Sequence, residues 1–213
     1  MFDAFFVRRL KSPLAFAAKP LDAAGVNATQ VTLIGAVIGL AAAILIAADA
    51  LLLGGLLFLM NRLFDGLDGA LARQQGPTEQ GAFLDITLDF LIYSAIPFAF
   101  AVRDPDVALA AAFLLFSFVG TGSTFLAFSI FATRHGLQNE SLKDKSIYYL
   151  QGLTEGFETT LVLTLMCVFP QWFEWLAWGF GALCFMTTGS RIVEGNRVLR
   201  GISTPEPDRL SET

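Results

Sequence analysis

Val31 to Ala48 reads VTLIGAVIGLAAAILIAA, a run without a single charge. As a helix rising about 1.5 Å per residue it is about 27 Å long, close to the roughly 30 Å of a bilayer's hydrocarbon layer. It is not an isolated feature. Hydrophobic residues make up 54% of the 213 and charged residues 15%, against about 25% charged in an ordinary soluble domain. One water-soluble core of this size cannot bury that much apolar surface. The chain therefore reads as an all-α polytopic membrane protein. Its net charge of −5, with basic residues gathered at segment ends, argues against nucleic-acid binding. Cys167 and Cys184 both fall inside apolar runs, which argues against a disulfide framework.

Working outward from that run gives six membrane-length segments, at 31–48, 51–73, 81–102, 107–133, 150–169 and 172–198. Together with the N-terminal stretch they make one transmembrane domain over 1–200. Residues 1–20 mix Phe2, Phe5, Phe6, Val7, Leu10, Leu14 and Phe16 with Arg8, Arg9, Lys11 and Lys19. That is too polar to span and suits an amphipathic helix at the interface, its cations toward anionic headgroups. Ala48-Asp49-Ala50 imitates a signal-cleavage site, but the apolar run before it exceeds the 7–15 residues of a signal core. Lys and Arg fall almost wholly on one side: the N-terminal stretch, Arg73, the Arg134–Lys145 connection, and Arg191, Arg197 and Arg200. Only Arg103 falls on the other. The positive-inside rule then places both termini in the cytoplasm. The 203–213 tail is polar and Pro-containing, and reads as disordered.

A carboxylate in mid-span costs about 2.5–3.5 kcal/mol on insertion scales, yet segments two and three hold Asp65, Asp68, Asp85 and Asp89. Asp65, Asp68, Gly69 and Ala72 share one helical stripe, with the small residues leaving room beside the acids. Gly81, Asp85 and Asp89 form a second stripe. A short connection makes the two helices antiparallel neighbours, so the four acids can face one another near the cytoplasmic end. Arg62 and Arg73 offset only part of the charge. An oxygen-only ligand set with excess negative charge suits Mg²⁺ or Mn²⁺. Two such ions are a known device for phosphoryl transfer. The plainer reading pairs the acids with Arg62 and Arg73 as structural ion pairs.

DGLDGALARQQGPTEQGAFLDITLD, Asp65 to Asp89, contains D-x2-D-G-x2-A-R-x7-G-x3-D-x3-D without a substitution. In this the chain resembles the CDP-alcohol phosphatidyltransferases, and the layout of spans fits that family over nearly the whole length. The resemblance implies phospholipid synthesis: transfer of a phosphatidyl group from CDP-diacylglycerol to an alcohol, with release of CMP. It implies that Asp65, Asp68 and Asp85 hold two ions, with Asp89 completing the cluster and acting as base. Gly69 and Ala72 would make room for the nucleotide, and Arg73 and Gly81 would help seat it. A homodimer among membrane lipids is implied as well. One departure is VNATQVTLIG, which keeps Thr32 as a possible nucleotide contact but has Ala28 and Thr29 where the family often has Pro-Asn. The stretches Gly120–Phe128 and Gly152–Thr159 are similar to those of a subgroup of bacterial inner-membrane members, which implies that location with a cytoplasmic site.

The acceptor is not named by the sequence. Glu155 and Glu158, with Thr154 and Thr159, suit a pocket for a polyol or an amine, or else bind a structural partner such as Arg134 or Arg191. Arg134, Lys143, Lys145 and Arg191 suit a phosphate-bearing acceptor such as a sugar phosphate, or simply obey the positive-inside rule. Gly152 and Gly156 suit helix packing. Two rival classes use similar acids. An intramembrane prenyltransferase matches NRLFDGLD only superficially and needs a second acidic set. A divalent-cation or proton-coupled transporter needs access from both faces.

Overall fold

Asn27 opens the helix that the Val31–Ala48 run predicts. Its side chain accepts from the Gln30 N–H at 2.9 Å, and Gln30 Oε1 accepts from the Asn27 N–H at 3.1 Å, a reciprocal capping box. The computed structural model describes residues 3–135 and 154–201. Among them lie seven α-helices and no strand: α1 (Asp3–Ala23), α2 (Ala28–Ala47), α3 (Leu51–Gln75), α4 (Glu79–Arg103), α5 (Ala108–Arg134), α6 (Gly156–Val168) and α7 (Phe173–Arg200). Lys143, Lys145, Gly152, the 203–213 tail and the start of the segment predicted at 150 lie outside the described residues.

Helices α2, α4 and α5 are long and apolar enough to cross a membrane. Helix α3 matches them in length but carries Arg62, Asp65, Asp68 and Arg73. The described part of α6 has 13 residues, about 20 Å at helical rise, which is short for a bilayer. It joins α7 through a 3₁₀ turn at Pro170–Trp172 with a bend of 118°, and the pair together is apolar enough for one span. Apolar helices long enough to cross are thus a property of the fold.

The largest core lies at the end away from the acids, where Phe58, Ile92, Ile96, Phe100, Leu114, Leu163, Met166 and Phe173 are buried together. The Phe100 and Phe173 rings stack there with centroids 4.5 Å apart. Close helix approach depends on small residues. A Cβ on Gly54 would meet Ile46 Cγ1 at 2.6 Å and the Ala42 carbonyl at 2.9 Å, and one on Gly55 would meet Cys167 Cβ at 2.8 Å. Both cysteines are free and buried. Arg103 ion-pairs with Asp49 across the far end, fixing the α2–α3 turn to the end of α4.

Helix α1 packs across α3 instead of standing apart from the bundle. Ala18 is fully buried against Val31, Ala70 and Leu71, and a Cβ on Gly66 would meet Leu14 Cδ1 at 2.9 Å. Gln75 ties the joint. Its Nε2 donates to Asp22 Oδ1 (2.9 Å) and to the Val26 carbonyl (2.8 Å), and its Oε1 accepts from the Ala28 N–H (3.2 Å). Lys11 and Lys19 remain exposed.

Candidate active site

Helix α3 stops at Gly76, whose φ of +94° is a conformation that side chains resist. Pro77 follows, and Thr78 caps α4 by accepting from the Gly81 N–H at 3.0 Å. This tight connection turns the chain back, but α3 and α4 are not the directly packed neighbours that the sequence predicts: each packs against α2, and the two face each other across the acids. Asp65 and Asp68 sit ten and seven residues from the end of α3, and Asp85 and Asp89 six and ten residues into α4. Those offsets put the acids about 9–15 Å below the helix ends.

Asp65, Asp68 and Asp85 each bring a carboxylate oxygen to a common point, all within 4.8 Å of one another. Asp68 is buried, and its Oδ2 has no hydrogen-bond partner. Three hard oxygen donors converging on one point, one of them buried without a proton donor, fit a divalent cation of the Mg²⁺ or Mn²⁺ kind. Asp89 joins the three in lining a small cavity, together with Arg62. Its Oδ1 lies 2.7 Å from Arg62 Nη1, whereas Asp65 Oδ2 is 4.0 Å from the same nitrogen. The structural ion pairing weighed from the sequence therefore exists for Arg62, with Asp89 and, at the limit of contact, with Asp65.

Two cavities open on either side of the acids, and Asp85 lines both. The first, about 480 Å³, lies between the start of α2 and the α3–α4 connection. Thr32, Gly69, Ala72, Arg73 and Gly81 all line it together with Asp68, so the five residues expected to contact a nucleotide share one space. Gly69 faces open room except for the Arg73 guanidinium, and Thr32 donates its hydroxyl to the Ala28 carbonyl at 3.1 Å.

The second cavity, about 320 Å³, lies among α4, α5, α6 and α7. Asp85 and Asp89 form one wall, and Thr121, Phe125, Glu155 and Arg191 face them. Gly122 admits Phe90, whose Cε1 would lie 2.8 Å from a Cβ there. Arg191 reaches from α7 to donate to the Thr121 carbonyl at 3.1 Å. Of the four acceptor candidates, Glu155 and Arg191 line this space; Glu158 and Arg134 do not. Glu158 accepts from the Glu155 N–H at 3.3 Å, the returning half of a capping box at the start of α6. Arg134 ends α5.

Sequence reasoning missed Tyr93 and Asn61. Tyr93 continues the stripe Gly81, Asp85, Asp89 by one more turn, and its ring centroid lies 4.4 Å from the Arg62 guanidinium carbon. That i+4 step was the available signal. Asn61 accepts from Arg62 Nε (2.9 Å) and Nη2 (2.6 Å) and donates to the Gly35 carbonyl (2.8 Å). No local pattern in the sequence announces that partnership.

The chain is 47% identical to the inner membrane protein YnjF of Escherichia coli over 203 residues, which is 95% of this chain and 98% of that one. It is 36% identical to archaetidylinositol phosphate synthase of Pyrococcus horikoshii over 95 residues, covering 44% and 50% of the two chains. In fold it is similar to phosphatidylinositol phosphate synthase of Mycobacterium tuberculosis. The form solved with manganese and citrate aligns over 94% of this chain and 93% of that one, with a TM-score of 0.67 at 23% identity. The form with CDP-DAG bound aligns over 94% and 98%, with a TM-score of 0.60 at 21% identity. The family model for CDP-alcohol phosphatidyltransferase matches residues 26–183. These residues take in the acid cluster and all of the first cavity's named lining, and the chain belongs to the CDP-alcohol phosphatidyltransferase family.

Proposed function

We propose that this protein transfers a phosphatidyl group from CDP-diacylglycerol to the hydroxyl of a small alcohol, releasing CMP. One observation carries the reading: the three-carboxylate cluster stands between two cavities that share Asp85. A nucleotide diphosphate donor and an alcohol acceptor can then approach one phosphorus from opposite sides. The family membership and the CDP-DAG bound to a structural relative support the donor.

In this reading Asp65, Asp68 and Asp85 would hold two divalent ions, with Asp89 completing the cluster. Bound there, such ions would act as Lewis acids on the phosphoanhydride and offset the charge on departing CMP. Thr32, Gly69, Ala72, Arg73 and Gly81 seat the cytidine nucleotide in the first cavity. The acceptor lies in the second, with Glu155 and Arg191 opposite Asp89. Asp89 takes the proton of the acceptor hydroxyl, whose oxygen then bonds to the lipid-side phosphorus. The bond from that phosphorus to the bridging oxygen breaks, CMP leaves with the electron pair, and Asp89 returns its proton to water. The acceptor is a polyol, an amino alcohol or a sugar phosphate. Six spans, an interfacial α1, cytoplasmic termini and site, an inner-membrane location and a homodimer complete the proposal.

The test is purified protein with CDP-diacylglycerol, Mg²⁺ or Mn²⁺, and a panel of glycerol 3-phosphate, inositol phosphate, serine, choline, glycerol and sugars. CMP and lipid products are read by mass spectrometry beside Asp89→Asn. Acceptor-dependent CMP release that the variant lacks is expected. No release with any acceptor, from folded and metal-loaded protein, overturns the reading.

A further inference from the structure

We propose that the acceptor carries no phosphate: the second cavity selects a free alcohol, a polyol or an amino alcohol, over its phosphorylated form. The inference rests on the transfer reading above and chooses among the acceptors it allows. Its grounds are the charges and hydrogen-bonding groups that wall the cavity. Asp85 and Asp89 form one side and Glu155 faces them, while among the described residues the one cation in the lining is Arg191. Three carboxylates thus stand against one guanidinium. Divalent ions held by the acids would offset Asp85 and Asp89. Glu155 and Arg191 then set the charge of the space beyond, and they cancel.

Arg191 is also committed elsewhere. It donates to the Thr121 carbonyl at 3.1 Å, its guanidinium carbon lies 6.0 Å from the Phe125 ring centroid, and Glu155 attracts it. A phosphate is usually taken by a guanidinium fork turned toward it or by several cations together. Arg134, a second cation that the sequence offered for this purpose, is exposed at the end of α5 and outside the lining.

The neutral groups point the same way. Three threonines line the cavity, and each gives its hydroxyl proton to the protein: Thr121 to the Phe118 carbonyl (3.1 Å), Thr159 to the Glu155 carbonyl (2.8 Å) and Thr154 to Thr187 Oγ1 (3.0 Å). What these hydroxyls still present to a ligand is lone pairs. Carboxylates and lone pairs call for a ligand rich in O–H or N–H donors, and a phosphate brings acceptors alone. The rings of Phe90, Tyr93, Phe118 and Phe125 complete the wall. Aromatic faces attract an ammonium group. A site that sets like charge and unmatched acceptors against the wrong ligand discriminates by repulsion as well as by fit.

The test uses the full-length protein in detergent with CDP-diacylglycerol and Mn²⁺. Each free alcohol is compared with its phosphate, glycerol with glycerol 3-phosphate and inositol with inositol phosphate, with ethanolamine and choline alongside. The best free alcohol is expected to exceed every phosphorylated acceptor by about 10-fold or more in kcat/KM for CMP release. In Glu155→Gln, use of the phosphorylated member of each pair relative to the free one is expected to rise about 10-fold. Glu158→Gln, outside the lining, should keep the parent's ratio. A reading that needs no turnover is the Tm shift each compound gives in Mn²⁺ and CDP. There the free alcohols are expected to stabilise the protein more than their phosphates. A phosphorylated acceptor that is used best, or that raises Tm more than its free alcohol, overturns the proposal. So does Glu155→Gln with the parent's ratio, and should that variant fail to fold, the parent's own preference decides. A parent that releases no CMP with any acceptor refutes the transfer reading instead, and the Tm pairs still decide which form the cavity takes.

Discussion

The Arg73 guanidinium lies against Gly69, its Nη1 3.4 Å from the point where a Cβ on Gly69 would stand. The two residues are four apart on α3 and face the first cavity together. A methyl there is an ordinary contact that a flexible guanidinium yields to; a branched side chain takes the cavity itself. Gly69→Ala is therefore expected to weaken CDP binding by no more than about 3-fold, and Gly69→Leu by at least about 10-fold, with little change in Tm. Calorimetric titration of CDP in Mn²⁺ measures both.

Metal binding and stability are coupled at Asp68. Its Oδ2 is buried without a partner, and two neighbouring carboxylate oxygens lie within 4.8 Å. Unit charges at that separation repel by about 3 kcal/mol at an effective dielectric of about 20. Asp68→Asn removes one of them. In EDTA the variant is expected to melt above the parent, by about 2–4 °C for each kcal/mol of repulsion relieved. Added Mn²⁺ should reverse the order, since an ion at 100 times its Kd stabilises the parent by about 2.7 kcal/mol and the variant lacks a ligand. Thermal melts with and without Mn²⁺ read both arms.

The same acids show how far spacing alone carries a site. Stripes at i+3 and i+4 and a short connection pointed to Asp65, Asp68 and Asp85 together, but not to α2, which packs against both of their helices and holds them across the acids. They could not show that Arg62 pairs with Asp89, since contacts from α2 and α4 hold Arg62 there. That Thr32, Gly69, Ala72, Arg73 and Gly81 share one cavity was legible because all belong to, or face, the α3–α4 connection. Arg191 bonding the Thr121 carbonyl, 70 residues away, was not. The Glu155–Glu158 pair was ambiguous for a different reason. A pocket pair and a capping box share the i, i+3 spacing, and only the backbone path at the start of α6 shows that Glu158 serves the cap.

Packing makes a sharper distinction among glycines than the sequence does. A Cβ on Gly54 meets a backbone carbonyl at 2.9 Å, which cannot move aside without shifting α2, whereas one on Gly189 meets nothing within 4 Å. Gly54→Ala is expected to cost about 1–3 kcal/mol through overpacking. Gly189→Ala should be neutral or stabilising by up to about 1 kcal/mol, because Ala favours the helix. Denaturation in mixed micelles compares them.

Gln75 makes three hydrogen bonds that hold the end of α1 and the start of α2 to the end of α3. Gln75→Leu leaves the Ala28 N–H and the Val26 carbonyl without this partner. At about 0.5–1.5 kcal/mol for each bond, the joint is expected to loosen by a few kcal/mol. Because Ala28 and Gln75 both line the first cavity, the loosening should reach nucleotide binding. The expected result is faster proteolysis near residues 22–27 and weaker CDP binding, with CDP protecting the joint in the parent more than in the variant.

Glu155 and Glu158 stand one turn apart and are expected to respond differently to the same change. Glu155 lines the second cavity with Asp89 and Arg191, while Glu158 lies outside that lining and closes the cap of α6. Gln can still accept the cap bond. Glu158→Gln should therefore keep the parent's kinetics and lose at most about 1 kcal/mol of stability, and Glu158→Ala somewhat more. Glu155→Gln removes a charge from the acceptor's wall without changing its shape. It should leave KM for CDP-diacylglycerol within roughly 3-fold and change KM for the acceptor by about 10-fold or more. The direction identifies the acceptor's chemistry. A KM that rises means Glu155 attracts a cationic or hydroxyl-rich acceptor, and a KM that falls means its charge opposes an anionic one. Equal responses at 155 and 158 would show that the two carboxylates act only as a cap.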